Sequence, residues 1–216
     1  MENKYLISNL QLAYSPLSAY DFTVLKKDTS IHKALNDSSL YAIVQRGELR
    51  FDNICSESYK DNVKLSFEIR QKGNPHVLQC SFLVYQKNLL EDLSKEVVLC
   101  VGSSEAKNDL SKMPFFNIQG IKLLEYDKFK IWFSPEKFLQ NYWKGYFNAE
   151  IKGDLKEFTK YTVLYVGKAT NQDIWKRLSG HETLQDILAL EEPIYTGSIP
   201  KDEIAILFFK IEDNIQ

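Results

Sequence analysis

Tyr161-Thr162-Val163-Leu164-Tyr165-Val166-Gly167-Lys168-Ala169 is the stretch on which the reading of this chain turns. Tyr161–Val166 is made of β-branched, leucine and aromatic residues, the composition of a strand. The strand ends at Gly167, where the backbone can turn sharply. Asn171 is a candidate N-cap for the segment that follows. In that segment Ile174 and Leu178 lie one helical turn apart and face a core, while Arg177, with Lys176 beside it, points to the side. Ser179 and Glu182 have capping-box spacing and open a second helix. Leu184, Ile187 and Leu188 give that helix its apolar face, and Pro193 ends it. Glu203–Ile211 reads as a further strand. The expected order is strand, glycine turn, helix bearing an arginine, second helix, strand, with Tyr161–Val166 paired antiparallel to Glu203–Ile211.

Upstream, the chain reads as mostly β. Leu40–Phe51 has a central Arg46-Gly47 suited to a turn. Val63–Arg70 alternates apolar and polar residues with the period of a half-buried strand. His76–Gln86 is rich in strand formers, and Gln71–Pro75 between the two reads as a hairpin turn. Val97–Val101 is a buried strand candidate, and Asn88–Ser94 reads as a short helix ahead of it. Gly102–Gly120 has the glycine, serine and proline of a loop, and Ile121–Phe133 is strand-like. Ser134-Pro135-Glu136 opens a helix with a serine cap, a proline in the first turn and an acid behind it. Phe138, Leu139, Tyr142 and Trp143 form that helix's apolar stripe, which reads as packing against a sheet.

The chain has 216 residues and a formal net charge of −2, which argues against bulk electrostatic capture of nucleic acid. The distribution is uneven: residues 1–119 carry 14 positive and 14 negative charges, 120–180 carry 11 and 7, and 181–216 carry 2 and 8. The basic excess therefore falls on the stretch that holds Tyr165 and Arg177, as a local phosphate-binding face would require. A solvated lysine-rich surface gives the same count. No apolar run approaches the roughly 18 residues of a membrane span, and the N-terminus lacks the pattern of a signal peptide. Cys55, Cys80 and Cys100 are odd in number and far apart. They read as buried free thiols of a reducing cytosol, with no metal-ligand spacing. The expectation is a cytoplasmic protein with no membrane partner.

Tyr165-Val166-Gly167-Lys168-Ala169, then Arg177-Leu178 and His181, resembles the second half of the signature of the GIY-YIG endonuclease family. The resemblance implies that this tract forms the second strand and first helix of a small sheet. It implies phosphodiester hydrolysis with one divalent ion, Mg or Mn. Tyr165 would be the second motif tyrosine, Arg177 the phosphate clamp, Lys168 a second positive contact and His181 a proton relay or phosphate ligand. The chemistry suits these residue types. A guanidinium offers a fixed, always-charged fork to phosphate oxygens, and a tyrosine hydroxyl can orient a water, or deprotonate it if its pKa is lowered.

Two features depart from the family pattern. The first motif, Gly-Ile-Tyr, should lie about ten residues before Tyr165 on the preceding strand, and nothing fits there. Gly145-Tyr146-Phe147 is the best candidate, which implies an insertion near Lys152–Thr159; Tyr161 is the fallback. The family's metal-binding glutamate should sit on a helix beyond the last strand. Glu212 has about the right separation from Arg177 but stands at a strand end, so the resemblance implies a domain incomplete at its C-terminus or a degenerate one.

The combined expectation is an α+β protein: a β-rich N-terminal domain (1–138) followed by a small GIY-YIG-like antiparallel sheet flanked by helices (139–216). Its expected function is metal-dependent DNA cleavage, with antiviral (phage) defence or a mobile element as the implied context. Its expected site residues are Tyr146, Tyr165, Lys168, Arg177 and His181, with Glu212 as metal ligand. DNA is the expected partner, with a protein partner through the N-terminal domain also open. The alternatives are a catalytically inactive module of the same type that binds nucleic acid or protein, and an α+β interaction protein whose likeness to the family is accidental.

Overall fold

Period-two alternation dominates the computed structural model, which describes residues 7–18, 22, 28–36, 38–90, 96–102, 112–126, 128–169, 174–179 and 202–215. These residues form three antiparallel sheets with few, short helices. That corrects the expected α+β class: strand is the main material of the chain, and a small GIY-YIG-like sheet flanked by helices is not what the described residues build. The chain divides into one unit made of Met1–Arg46 and Tyr161–Gln216 and another made of Gly47–Lys160. Two consecutive domains meeting at residue 138 are therefore not what is observed; the second unit interrupts the first.

In the discontinuous unit, strands β1 (Ile7–Leu12), β2 (Leu17–Ser18), β3 (Leu40–Gly47), β11 (Thr162–Lys168) and β12 (Asp202–Ile215) form one sheet. The order is β1-β12-β3-β11, with β2 also on β12. Tyr161–Val166 and Glu203–Ile211 thus share a sheet but are not neighbours, because β3 lies between them. Strand β11 runs antiparallel to β3, with Tyr165 opposite Ile43 and Gly167 opposite Tyr41. One face of the sheet buries Tyr41, Ile43, Ile204, Ile206 and Phe208 against helices α1 (Thr29–Leu35) and α3 (Ile174–Ser179). Asp28 caps α1 by accepting from the backbone N–H groups of Ser30 and Ile31, satisfying donors that the first turn leaves open. Trp175 anchors α3, stacked at 4.7 Å on Phe22 and at 4.4 Å on His32. The other face holds Ala42, Val44 and Ala205 with Tyr161, Leu207 and Phe209.

The inserted unit has a sheet ordered β10-β6-β5-β4 and a second ordered β7-β8-β9. Its strands are β4 (Leu49–Tyr59), β5 (Asn62–Gln71), β6 (Val77–Leu83), β7 (Val97–Gly102), β8 (Gly120–Glu125), β9 (Lys128–Phe133) and β10 (Glu150–Lys152). The alternation over 63–70 is realised: Leu65, Phe67 and Ile69 are buried, and Gly73 turns the chain back with φ +79°. Ile121–Phe133 is two strands rather than one, broken at Tyr126, whose φ is positive. The Arg46-Gly47 turn does not close a hairpin; β3 and β4 belong to different sheets. Asn88–Leu90 forms turn and isolated bridges, and the rest of the expected helix to Ser94 lies outside the described residues. Helix α2 (Pro135–Trp143) is capped by Ser134, whose Oγ accepts from the Lys137 N–H at 3.3 Å. Its Phe138 is surrounded by Phe51, Phe67, Phe82, Phe133 and Phe147 at centroid distances of 5.0–6.4 Å. Edge-to-face packing of this kind adds to plain burial; it bears out the reading of the α2 stripe as core for Phe138 and Leu139, whereas Tyr142 is half-buried and Trp143 is 58% exposed.

Candidate active site

Antiparallel pairing places residues directly opposite one another on the same face. On the β3–β11 pair this brings Tyr41 over Gly167. A Cβ built on Gly167 would lie 2.3 Å from Tyr41 Cζ and 2.4 Å from its hydroxyl oxygen. Gly167 is therefore needed for close approach, not for the sharp turn expected of it; β11 runs on through Lys168. The Tyr41 ring then lies 6.0 Å from that of Tyr165, one residue pair along the same face.

Helix α3 adds the third member. Ile174, Trp175 and Leu178 are buried, fixing the helix on the sheet, and Arg177 is half-buried. Its Nε is buried and makes no hydrogen bond among the described residues. Tyr41 itself is fully buried. Burial raises its phenol above the ordinary 10.0, Tyr165 raises it further, and Arg177 opposes the rise. Tyr41 is thus in electrostatic contact with both Tyr165 and Arg177. Tyr41 therefore keeps its proton at neutral pH.

The other expected residues fall elsewhere. Tyr146 belongs to the inserted unit, in the turn after α2, where its carbonyl accepts from Asn88 Nδ2 at 2.8 Å. It is not on the strand that pairs with Tyr165. The tyrosine on that strand is Tyr41, which the sequence reading missed; Ser39-Leu40-Tyr41 carries the only available signal, a weak echo of Gly-Ile-Tyr. Tyr161 packs on the opposite face of the sheet, under the Arg46 guanidinium at 4.5 Å. Lys168 pairs with Leu40, and alternation places it on the face opposite Tyr165 and Tyr41. His181 lies outside the described residues. Glu212 is within β12, its backbone opposite Asn9 rather than on a helix, and its side chain is outside the described residues.

No group of three or more His, Cys, Asp or Glu side chains among the described residues is placed to hold a metal ion. No described helix is long and apolar enough to cross a membrane. The described cysteines Cys55, Cys80 and Cys100 are free thiols. Comparison with protein-family models, with curated proteins and with solved structures returns no match.

Proposed function

We propose that the Tyr41–Tyr165–Arg177 cluster is a phosphodiester-hydrolysing site of the GIY-YIG type, acting on DNA in the cytoplasm. The supporting observation is the convergence of these side chains across β3 and β11, with Tyr41 seated on Gly167. In this reading Tyr41 stands where the first motif tyrosine is required, on the strand paired with Tyr165. The inserted unit accounts for the distance between the two motifs in the sequence.

Each residue has a definite task. The Arg177 guanidinium presents a planar fork to the scissile phosphate and stabilises the charge that grows there during attack. Its neighbours in α3 are buried, so its position is fixed before substrate arrives. Tyr41 is fully buried and held protonated, so it acts by positioning Tyr165 and Arg177. Half-buried Tyr165 positions the attacking water. A divalent ion, Mg or Mn, enters this proposal through the family resemblance, with Glu212 as its ligand, and supplies charge neutralisation at the leaving oxygen when bound. The described side chains give no carboxylate set that fits it, so no step is assigned to it here.

The test is plasmid cleavage with magnesium, manganese or EDTA, on wild type, Arg177→Ala, Tyr41→Phe and Tyr165→Phe, beside thermal melts. Arg177→Ala should lower the rate by roughly two to three orders of magnitude with the fold intact. Arg177→Lys should rescue little, because a point charge cannot replace the fork. Activity undiminished in Arg177→Ala would remove this mechanism. A wild type that binds DNA without cleaving it would favour the inactive binding module.

A further inference from the structure

We propose that the outer face of the β7–β8–β9 sheet, in the inserted unit, binds single-stranded nucleic acid. Register fixes which side chains share that face. Val98 is opposite Leu124, which is opposite Phe129; Cys100 is opposite Lys122, which is opposite Trp132. The alternate residues Leu99, Ile121, Leu123 and Phe133 turn inward to the core. Two neighbouring rows of three thus share the outer face, Val98, Lys122 and Phe129 exposed and Cys100, Leu124 and Trp132 half-buried, with both aromatic side chains on the outermost strand.

The face is apolar where a solvated sheet surface is normally polar. Phe129 is 59% exposed and Val98 40%. A grouped exposure of this kind marks a binding surface. Its charge selects the partner. Lys122 stands in the middle of one row, and the Lys137 ammonium lies 4.3 Å from the centroid of the Trp132 ring. The single carboxylate that the three strands carry, Glu125, is buried and bound by Lys130. The outward strand residues therefore combine aromatic and aliphatic surface with positive charge and no negative charge.

A single strand of nucleic acid has the complementary composition: flat apolar bases spaced along a phosphate chain. Base stacking on aromatic side chains is tolerant of sequence, and flanking lysines track the backbone. A duplex hides its base faces and cannot use Phe129 in this way. Lys137 packs half-buried against the Trp132 ring, so the exposed Lys122 is the cation placed to meet a bound backbone.

The whole chain can be titrated against a fluorescein-labelled single-stranded oligodeoxynucleotide in EDTA, followed by anisotropy, with the matching duplex as comparison. The single strand should bind at least tenfold more tightly than the duplex. Phe129→Ser should weaken single-strand binding at least tenfold with little change in salt dependence, and Phe129→Tyr should keep it. Lys122→Glu should weaken binding and lower the slope of log affinity against log salt by about one phosphate contact. Leu10→Ser, an exposed apolar change in the other unit, should leave binding unaltered. Circular dichroism and melts confirm that each variant is folded. Equal affinity for duplex, or single-strand binding indifferent to both Phe129→Ser and Lys122→Glu, overturns the proposal. So does self-association of the chain that Phe129→Ser abolishes. The assay is free of cleavage, so it stands or falls separately from the Arg177 site: loss of binding in Arg177→Ala alone would assign the nucleic acid to that site instead.

Discussion

Replacing Gly167 with alanine probes the candidate site at its tightest point. The added Cβ would meet three atoms of the Tyr41 ring, Cζ at 2.3 Å, the hydroxyl oxygen at 2.4 Å and Cε1 at 2.7 Å. Non-bonded carbons rest at about 3.5–4.0 Å, so the ring must retreat by more than about 1 Å. Tyr41 has no exposed surface and packs in the core with Ile43, Trp175 and Phe208. Overpacking of this kind costs about 1–3 kcal/mol. Glycine-to-alanine in a strand ordinarily gains about 0.5–1 kcal/mol, so the net loss should be roughly 1–2 kcal/mol. The decisive measurement is a double-mutant cycle in urea with Gly167→Ala, Tyr41→Val and the pair. Valine lacks all three of the offending atoms, so in its presence the alanine should be neutral or slightly stabilising. The cycle should therefore show a coupling of at least about 1 kcal/mol. If Gly167→Ala costs the same in both backgrounds, Tyr41 does not lie on Gly167 and the site as described is wrong. In a cleavage assay Gly167→Ala should also lose far more activity than stability, because a hydroxyl displaced by about 1 Å can cost about a hundredfold in rate.

Phe138→Ala removes the ring at the centre of the inserted unit's aromatic core and should destabilise the protein by about 3–5 kcal/mol in chemical denaturation; a cost below 1 kcal/mol would contradict the packing described. Burial pushes the Cys80 thiol from 9.0 up to about 12, so it should resist a thiol reagent at about pH 8 while half-buried Cys55 and Cys100 react, and yield only on unfolding. Because that folded-state value is raised, its contribution to stability is full below pH 9.0 and is lost as pH climbs toward about 12. The Ser30 hydroxyl first, then the Ser30 and Ile31 N–H groups, hold Asp28 below 3.8. Its contribution is therefore present above pH 3.8 and lost as pH falls through the lowered value, and Asp28→Asn should flatten the acid limb of the stability curve.

Local pattern made much of the inserted unit legible from the residues alone. The alternation over 63–70, the Gln71–Pro75 turn and the Ser134 cap each depend on neighbours a few residues apart, so each is written where it acts. The spacing of Tyr165 and Arg177 along one strand and one helix likewise marked the candidate site, but the need for a glycine at 167 was not local, because it is set by Tyr41 on the paired strand. Tyr41 was invisible because its role is set by a cross-strand pairing that spans the whole Gly47–Lys160 insertion. Closing so long a loop costs only slightly more than closing a short one, so the chain can place a folded unit between paired strands with little penalty. No local signal reports that it has done so. Proximity in sequence pointed instead to Tyr146 and Tyr161, one in the other unit and one on the wrong face of the sheet. Likewise, β-propensity identified Tyr161–Val166 and Glu203–Ile211 as strands, but β3 takes the place between them. Propensity decides which segments become strands; which strands become neighbours is decided by the buried faces they must share, and only the tertiary structure assembles those.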